Sequence, residues 1–378
     1  MKLHYISSAC FSDISNLTGT QKKILSQIDC LKNLGVDVIH HYPKSSFKNK
    51  YISYLHSCPV RIIDYIILRC TIKENDIVYL RRERHHISYL FLLILKRRYK
   101  FVIESQSIDK QELAPNISKG SNIFHALYVY YCYISCILFE KKIKNSADGI
   151  VSVTNEIGEY NSDITNHRLH YLTLGNGIDV DKIRIREITS QSDSKLHVLC
   201  VAQVAYWHGI DRFIRGLNEY ESTPDKKNIV LHIVGDGAEL PHLKELTAEL
   251  NLQDSVIFHG FKSGKELDEM FDICHIAIGS LAGFRAGLTE LSSLKSREYC
   301  ARGIPFLMAS KDADFPEGFN WVQMVPAEEN PIDMNTVVDF ANRVMADPEH
   351  PQKMRRYAEE HLDWLAKMKV LKEFLESL

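Results

Sequence analysis

Short apolar runs alternate along this chain with longer stretches whose apolar residues recur at helical spacing. LHYISS (3–8), VDVIHHY (36–42), DIVYL (76–80), KFVIES (100–105), GIVSV (149–153) and HYLTLG (170–175) read as strands, being short and bounded by polar or helical segments. The stretch TQKKILSQIDCLKNLG (20–35) carries Ile24, Leu25, Ile28, Leu31 and Leu34 on one helical face, and Gly35 stops it. The second half repeats the theme. HVLCVAQV (197–204), IVLHIVGDG (229–237), SVIFHGF (255–261), CHIAIGS (274–280) and IPFLMAS (304–310) read as strands, with helical segments such as GIDRFIRGLNEY (209–220) and ELPHLKELTAEL (239–250) between them. Such alternation predicts an α/β protein with parallel sheets covered on both faces, here two doubly wound halves.

The stretch DKIRIREITSQSDSK (181–195) is polar, lacks an apolar stripe and reads as an interdomain linker. The end of the chain, 350–378, is helical in pattern. Leu365, Met368, Leu371 and Leu375 are set to pack on a domain face, and Trp364 reads as a core anchor.

Composition changes this picture little. The chain has 378 residues, enough for two full cores, and its net charge of −2 gives it no bulk attraction for nucleic acid or membrane, which leaves only local clusters to act. Nine cysteines are scattered without a CxxC pair, which favours buried reduced thiols over a disulfide framework or a zinc site. The first residues, MKLHYISSACF, are too short and polar for a secretory signal and read as a strand. The expectation is therefore a cytoplasmic protein, with the Asn-x-Ser/Thr matches at 16–18 and 116–118 arising by chance.

Two apolar stretches stand out in the first half. ISYLFLLIL (87–95) precedes Lys96-Arg97-Arg98, and IFHALYVYYCYISCILF (123–139) precedes a basic run ending at Lys144. Both fall short of the roughly 20 residues that span a bilayer. They read either as buried helices or as a face resting on an anionic membrane with basic ends at the headgroups.

The chemistry concentrates in TELSSLKSREYCARGIPF (289–306), where Glu290 and Glu298 stand eight positions apart across a loop and the start of a helix closed by Gly303. Two carboxylates beside a helix N-terminus suit a nucleotide-sugar, held by ribose, diphosphate and sugar together. The plain alternative is two surface glutamates at a helix start, where carboxylates are favoured in any case.

With its flanking motifs, this segment resembles the E-x7-E signature and the "EY.A.G.P" helix end of the retaining GT-B glycosyltransferases, the glycogen-synthase-like group 1 family. LGNGID (174–179), VAQVAYWHGIDRFIRGL (201–217), IVGDG (233–237), FHGF (258–261) and SADGIVSVTNEI (146–157) match further motifs of that family in order. The resemblance is weak before residue 145 and good after it. It implies a GT-B architecture of two Rossmann-like domains facing a cleft. Residues 1–178 would bind the acceptor and 179–355 the nucleotide-sugar, with 356–378 packing back toward the first domain.

Carried over from the resemblance, Glu298 would accept hydrogen bonds from the donor ribose and Glu290 would lie at the transferred sugar. Ser292, Ser293 and Leu294 would offer backbone N–H groups to the diphosphate. Relatives place an arginine and a lysine where this chain has Gln203 and His208, so the phosphate charge must be met elsewhere. Lys295 is the first candidate, then Arg297, Arg285 and Arg212. Gly19 would approach the donor or acceptor from the first domain. Gln106 stands where many relatives have a histidine, and Asp109 or Glu104 would contact the acceptor. Each has a structural alternative: a solvated charge for Lys295, a capping loop residue for His208, a simple turn for Gly19.

Asp312-Ala-Asp314 looks like a metal-binding pair but reads as a polar loop, and neither a metal nor another cofactor is implied. The implied reaction moves a sugar from a nucleoside-diphosphate donor to a glycan or lipid-linked acceptor with retention, in surface-polysaccharide assembly. It would take place in the cytoplasm or at the inner face of the membrane. A GT-B nucleotide-sugar epimerase and a non-catalytic scaffold remain alternatives.

Overall fold

A computed structural model of the chain describes residues 1–7, 9, 11, 19–42, 71–81, 99–113, 123–188, 194–224 and 226–378. The apolar run at 87–95, both Asn-x-Ser/Thr matches, Cys10, Cys58 and Cys70 lie outside the described residues. The chain forms two units, 1–175 with 364–378, and 176–363.

The first unit holds a parallel sheet of six strands: β1 (Lys2–Ile6), β2 (Asp37–His41), β3 (Ile77–Arg81), β4 (Lys100–Ser105), β5 (Gly149–Ser152) and β6 (Tyr171–Thr173). Their order is β2-β1-β3-β4-β5-β6. All five residues of β3 are buried, as expected for a strand covered on both faces. On one face, Leu3, Tyr5, Tyr79 and Val102 pack under Ile24, Ile28 and Leu31 of α1 (Gly19–Asn33). On the other, Val78, Leu80, Phe101 and Ile103 meet Ile143. This unit also holds α2 (Asp109–Leu113), α3 (Ile123–Lys144), α4 (Asn155–Ile164) and the C-terminal helix Trp364–Ser377.

The second unit holds β7 (Leu196–Val201), β8 (Ile229–Val234), β9 (Val256–Gly260), β10 (Ile276–Ile278), β11 (Phe306–Met308) and β12 (Val322–Met324). This sheet is also parallel, in the order β12-β11-β10-β7-β8-β9. Val198, Leu231, Ile233 and Ile278 pack on Phe213, Ile214 and Leu217 of α5 (Ile210–Tyr220). The opposite face packs on Phe271 of α7 (Gly264–Ile273), and on Tyr299 and Cys300 of α8 (Leu294–Arg302). Helices α6 (Leu240–Glu249), α9 (Met334–Met345) and α10 (His350–Tyr357) complete this unit.

Three features differ from the sequence reading. The strand β12 is three residues long, too short for its alternation to stand out. The C-terminal helical pattern is broken: after α10 come a π-helical turn (Ala358–Leu362) and an extended Asp363, with ψ 142°, before α11 (Trp364–Ser377). Trp364, Met368, Leu371 and Leu375 of α11 then join the α1 core of the first unit. The units therefore divide at 175/176 and 363/364, against the sequence boundaries of 178 and 355.

The stretch read as a linker is, over its described part 181–188, integral to the second unit. Arg184 pairs with Asp272, while Arg186 donates from Nε to Gly303 O at 3.0 Å and from Nη2 to His350 Nε2 at 2.7 Å. The polar pattern read as a linker is here a set of guanidinium anchors, bound to a carboxylate, a backbone carbonyl and a histidine ring.

None of the six described cysteines forms a disulfide. No helix among the described residues is long and apolar enough to cross a membrane.

Candidate functional site

In the second sheet β7 lies between β8 and β10, so the loops that leave the carboxyl ends of β7 and β10 diverge. That is the switch point at which open α/β sheets hold ligands. The first loop carries Gln203 to Gly209. The second carries Thr289 to Ser293 and feeds α8.

The helix α8 is fastened over this split. The buried Tyr299 hydroxyl donates to Ile278 O on β10 at 3.2 Å and accepts from Val201 N on β7 at 3.1 Å. Gly303 ends the helix at φ +77°, where Pro351 leaves no room for a Cβ.

The loop before α8 is pinned at each step. Leu291 N donates to Lys311 O at 2.8 Å and Lys311 N to Thr289 O at 3.1 Å, which sets Glu290 in a short parallel bridge beside the end of β11. Ser292 is held by Asn176, whose backbone N–H donates to Ser292 Oγ and whose Nδ2 donates to Ser292 O, both at 2.6 Å. Ser293 is the extended N-cap residue, so Leu294, Lys295 and Ser296 have N–H groups that no helical carbonyl receives.

Arg297 holds the loop from within. Its Nε donates to Asn176 O at 2.9 Å, its Nη1 to Ser293 O at 3.2 Å, and its guanidinium forks onto Asp312, with a further bond to Asp314. Its side chain is wholly buried. Burial alone would lower its pKa, but the two carboxylates hold it above the ordinary arginine value. Arg297 is therefore engaged away from any phosphate, and the polar loop of Asp312 and Asp314 supplies its counter-ions. The three form one buried ionic cluster.

Two other candidate cations are also engaged. Arg212 donates to the carbonyls of Asn330, Leu281 and Pro326. Arg285 forks onto Asp211 at 2.8 Å and binds Glu329, with its guanidinium 4.2 Å from the Tyr206 ring centroid. Arg212 is thus a structural tie, a correction to its expected place on the donor.

Lys295 differs from all of these. Its Nζ is buried and has no hydrogen-bond partner among the described residues. Burial lowers its pKa, while the Cys200 thiol acts weakly the other way. His208 feels the Lys295 charge. Burial first, and then Lys295, push the imidazole down to about 3, so it is neutral at ordinary pH. Ala205 N donates to His208 Nδ1 at 3.1 Å, which leaves the ring proton on Nε2. Gly209 follows at φ +66°, where a Cβ would stand 2.8 Å from that of Ala282. The two diverging loops therefore touch at this glycine.

Glu298 is part-exposed and accepts from Arg302 Nε at 2.9 Å through one oxygen, leaving the other without a partner among the described residues. Gln203 is exposed on the loop after β7. Glu290, Ser292, Ser293, Leu294, Lys295, Glu298, Gln203 and His208 all lie on the two loops and the helix at this switch point. Gly19, Gln106 and Asp109 belong to the first unit, at the start of α1, after β4 and at the start of α2. Asn176 and Tyr299 had no role in the sequence reading, although both lie inside motifs it quoted.

Residues 181–361 match the family model described as "Glycosyl transferases group 1". The alpha-monoglucosyldiacylglycerol synthase of Streptococcus pneumoniae is 24% identical in an alignment 199 residues long that covers 48% of this chain and 44% of that protein. The chain thus spans less than half the length of this curated relative. Among solved structures, the sucrose-phosphate synthase from Thermosynechococcus elongatus superposes with TM-score 0.63 at 13% identity, over 100% of this chain and 98% of that one. Anabaena HepE in complex with UDP superposes with TM-score 0.61 at 15% identity, over all of both chains. The fold is that of the GT-B glycosyltransferases, and residues 181–361 are similar to the group 1 glycosyl transferases.

Proposed function

We propose that the chain transfers a sugar from a nucleoside-diphosphate donor to a glycan or lipid-linked acceptor, with retention at the anomeric carbon, in surface-polysaccharide assembly. The observation that carries this reading is Lys295 Nζ at the start of α8, a buried amine nitrogen with no hydrogen-bond partner among the described residues. A buried cation without an anion is costly, and a diphosphate beside the open helix end would relieve the cost. His208 Nε2–H supplies a neutral donor to a phosphate oxygen. Lys295 thus replaces the charge that relatives draw from the positions of Gln203 and His208.

In this reading Glu298 receives the ribose hydroxyls on its open oxygen, and Glu290 orients the transferred sugar. The bond from the anomeric carbon to the donor phosphate oxygen breaks, and the acceptor oxygen bonds to the same face of that carbon. The acceptor proton passes to the departing phosphate oxygen, so no protein base is needed. No metal is assigned either, since Asp312 and Asp314 are already the counter-ions of Arg297.

The test is calorimetry with UDP and GDP on the intact chain, followed by product analysis with the matching nucleotide-sugars. UDP is the first choice because HepE is a structural neighbour seen with it. Glu298→Ala is expected to weaken nucleotide binding about tenfold, for the loss of a charged hydrogen bond. Glu290→Ala should mainly lower turnover. Absence of binding to either nucleotide would sink the reading.

A lipid-linked acceptor draws support from α3. Leu127, Tyr130, Ile137 and Leu138 are 60%, 52%, 50% and 63% exposed and recur along one side of the helix, whose last turn carries the exposed Lys141 and Lys142. An apolar stripe with a basic end suits an anionic bilayer surface. Sedimentation should carry the protein down with phosphatidylglycerol vesicles and not with phosphatidylcholine vesicles, and Leu127→Glu with Leu138→Glu should abolish this. Equal sedimentation with both vesicle types would remove the membrane contact.

A further inference from the structure

The second unit begins at Asn176, and three of the four polar groups of this residue are spent on the segment that leads into α8. Its backbone N–H donates to Ser292 Oγ and its Nδ2 to Ser292 O, both at 2.6 Å, while its carbonyl accepts from Arg297 Nε at 2.9 Å. Asn176 is itself well anchored. Two residues later Ile178 N donates to Leu362 O at 2.9 Å, and Val180 N donates to Asp363 Oδ2 at 3.2 Å. The Tyr357 hydroxyl donates to Asp314 O at 2.5 Å, and Asp314 in turn binds Arg297. The segments by which the chain enters and leaves the second unit are thus tied to each other and to the loop before α8.

The Asn176 amide has one workable orientation. Nδ2 faces Ser292 O, and turning the amide over would set two acceptors against each other without a proton between them. Oδ1 is buried and has no hydrogen-bond partner among the described residues. The side chain therefore acts on the loop through its donor end alone. Ser292 and Ser293 are the last residues before the helix, where the N–H groups of Leu294, Lys295 and Ser296 lack a helical carbonyl. The two carbonyl oxygens that precede those N–H groups are both held, Ser292 O by Asn176 Nδ2 and Ser293 O by Arg297 Nη1 at 3.2 Å. A carbonyl released there could turn its negative end to an anion at the helix start.

We propose that Asn176 is a positioning residue for the donor diphosphate: its amide keeps the Ser292 carbonyl engaged, so that N–H groups and not a carbonyl oxygen meet the phosphates. The inference rests on the sugar-transfer reading for the identity of the anion. Asn176 touches no ligand in this role and acts through Ser292.

The experiment compares the intact chain with Asn176→Asp, by calorimetry with UDP and with uridine, and by hydrogen exchange at the amides of 290–296. The substitution keeps the side chain's shape and removes its donor. UDP affinity should fall about fivefold or more, uridine affinity should hold within about twofold, and exchange at 290–296 should quicken. Lowering the pH from about 7.5 to about 5 should narrow the UDP gap between variant and parent, because a carboxyl facing a carbonyl has a raised pKa and, once protonated, donates to Ser292 O again. Should Asn176→Asp lose its cooperative melting transition, Ser292→Ala makes the same comparison of UDP with uridine, since it removes only the Oγ acceptor of the Asn176 N–H. The proposal is overturned if UDP affinity and exchange are unchanged, or if uridine affinity falls in parallel, since Asn176 would then only hold the unit together. Failure of the sugar-transfer reading looks different: the parent chain binds neither UDP nor GDP, which takes the donor out of the proposal, while Asn176→Asp still loosens 290–296.

Discussion

Replacing Arg297 with methionine is expected to lower the stability of the intact chain by about 3–5 kcal/mol, the range for breaking one side of a buried ion pair. The side chain is wholly buried and its guanidinium serves Asn176, Ser293, Asp312 and Asp314. Methionine fills much of the volume but leaves the buried Asp312 carboxylate without its cation. Asn176 O and Ser293 O would each lose a donor. Urea unfolding at neutral pH measures the change as a shift in midpoint at constant slope. Arg297→Lys should fall between the parent chain and Arg297→Met, because an ammonium keeps the charge but cannot fork onto Asp312 while reaching Asn176. Adding Asp312→Asn and Asp314→Asn to Arg297→Met should recover part of the loss, since the uncompensated charges leave with their partner. A loss below about 1 kcal/mol in Arg297→Met, the scale of a surface pair, would show that the cluster does not brace the loop.

That cluster also marks where the sequence stops being readable. The strands β1 to β11 were visible because each is a short run between helical or polar segments, and the central ones, such as β3 and β8, are mostly apolar and buried throughout. The loop from Glu290 into α8 was visible because its residue types repeat a family motif. The partners of Arg297 were not visible. Asp312 and Asp314 lie beyond another strand, and nothing in a one-dimensional pattern couples a helix arginine to carboxylates fifteen and seventeen positions later.

The same limit explains Arg212 and the supposed linker. An arginine in an amphipathic helix looks available for a ligand until three carbonyls from 281, 326 and 330 are seen to close on it. A polar stretch looks solvated until Arg184 and Arg186 are seen to anchor it. The sequence shows which residues are charged, while only the fold shows which of those charges are already matched. Lys295 and Arg81 stand out for that reason: each has a buried nitrogen that the described residues leave unmatched.

Lys295→Met should therefore behave in the opposite way to Arg297→Met. Its buried Nζ has no hydrogen-bond partner among the described residues, and burial lowers its pKa, so carrying the charge there costs stability. Removing it should leave the urea midpoint unchanged or raise it. Affinity for UDP should fall by about 10–150-fold, the equivalent of about 1.5–3 kcal/mol for a charge-assisted bond, while affinity for uridine holds. Turnover with a nucleotide-sugar should fall further, because the charge on the leaving diphosphate grows as the glycosidic bond breaks.

The pH dependence follows from the same group. Below its lowered pKa Lys295 is charged and, on the proposed reading, holds the diphosphate. As pH rises through that value the ammonium loses its proton, and UDP affinity should decline at a lower pH than an ordinary lysine near 10.5 would produce. In Lys295→Arg, which keeps its charge, the decline should vanish. Unchanged UDP binding in Lys295→Met, with stability lost instead, would make this lysine a structural residue and take the phosphate site away from α8.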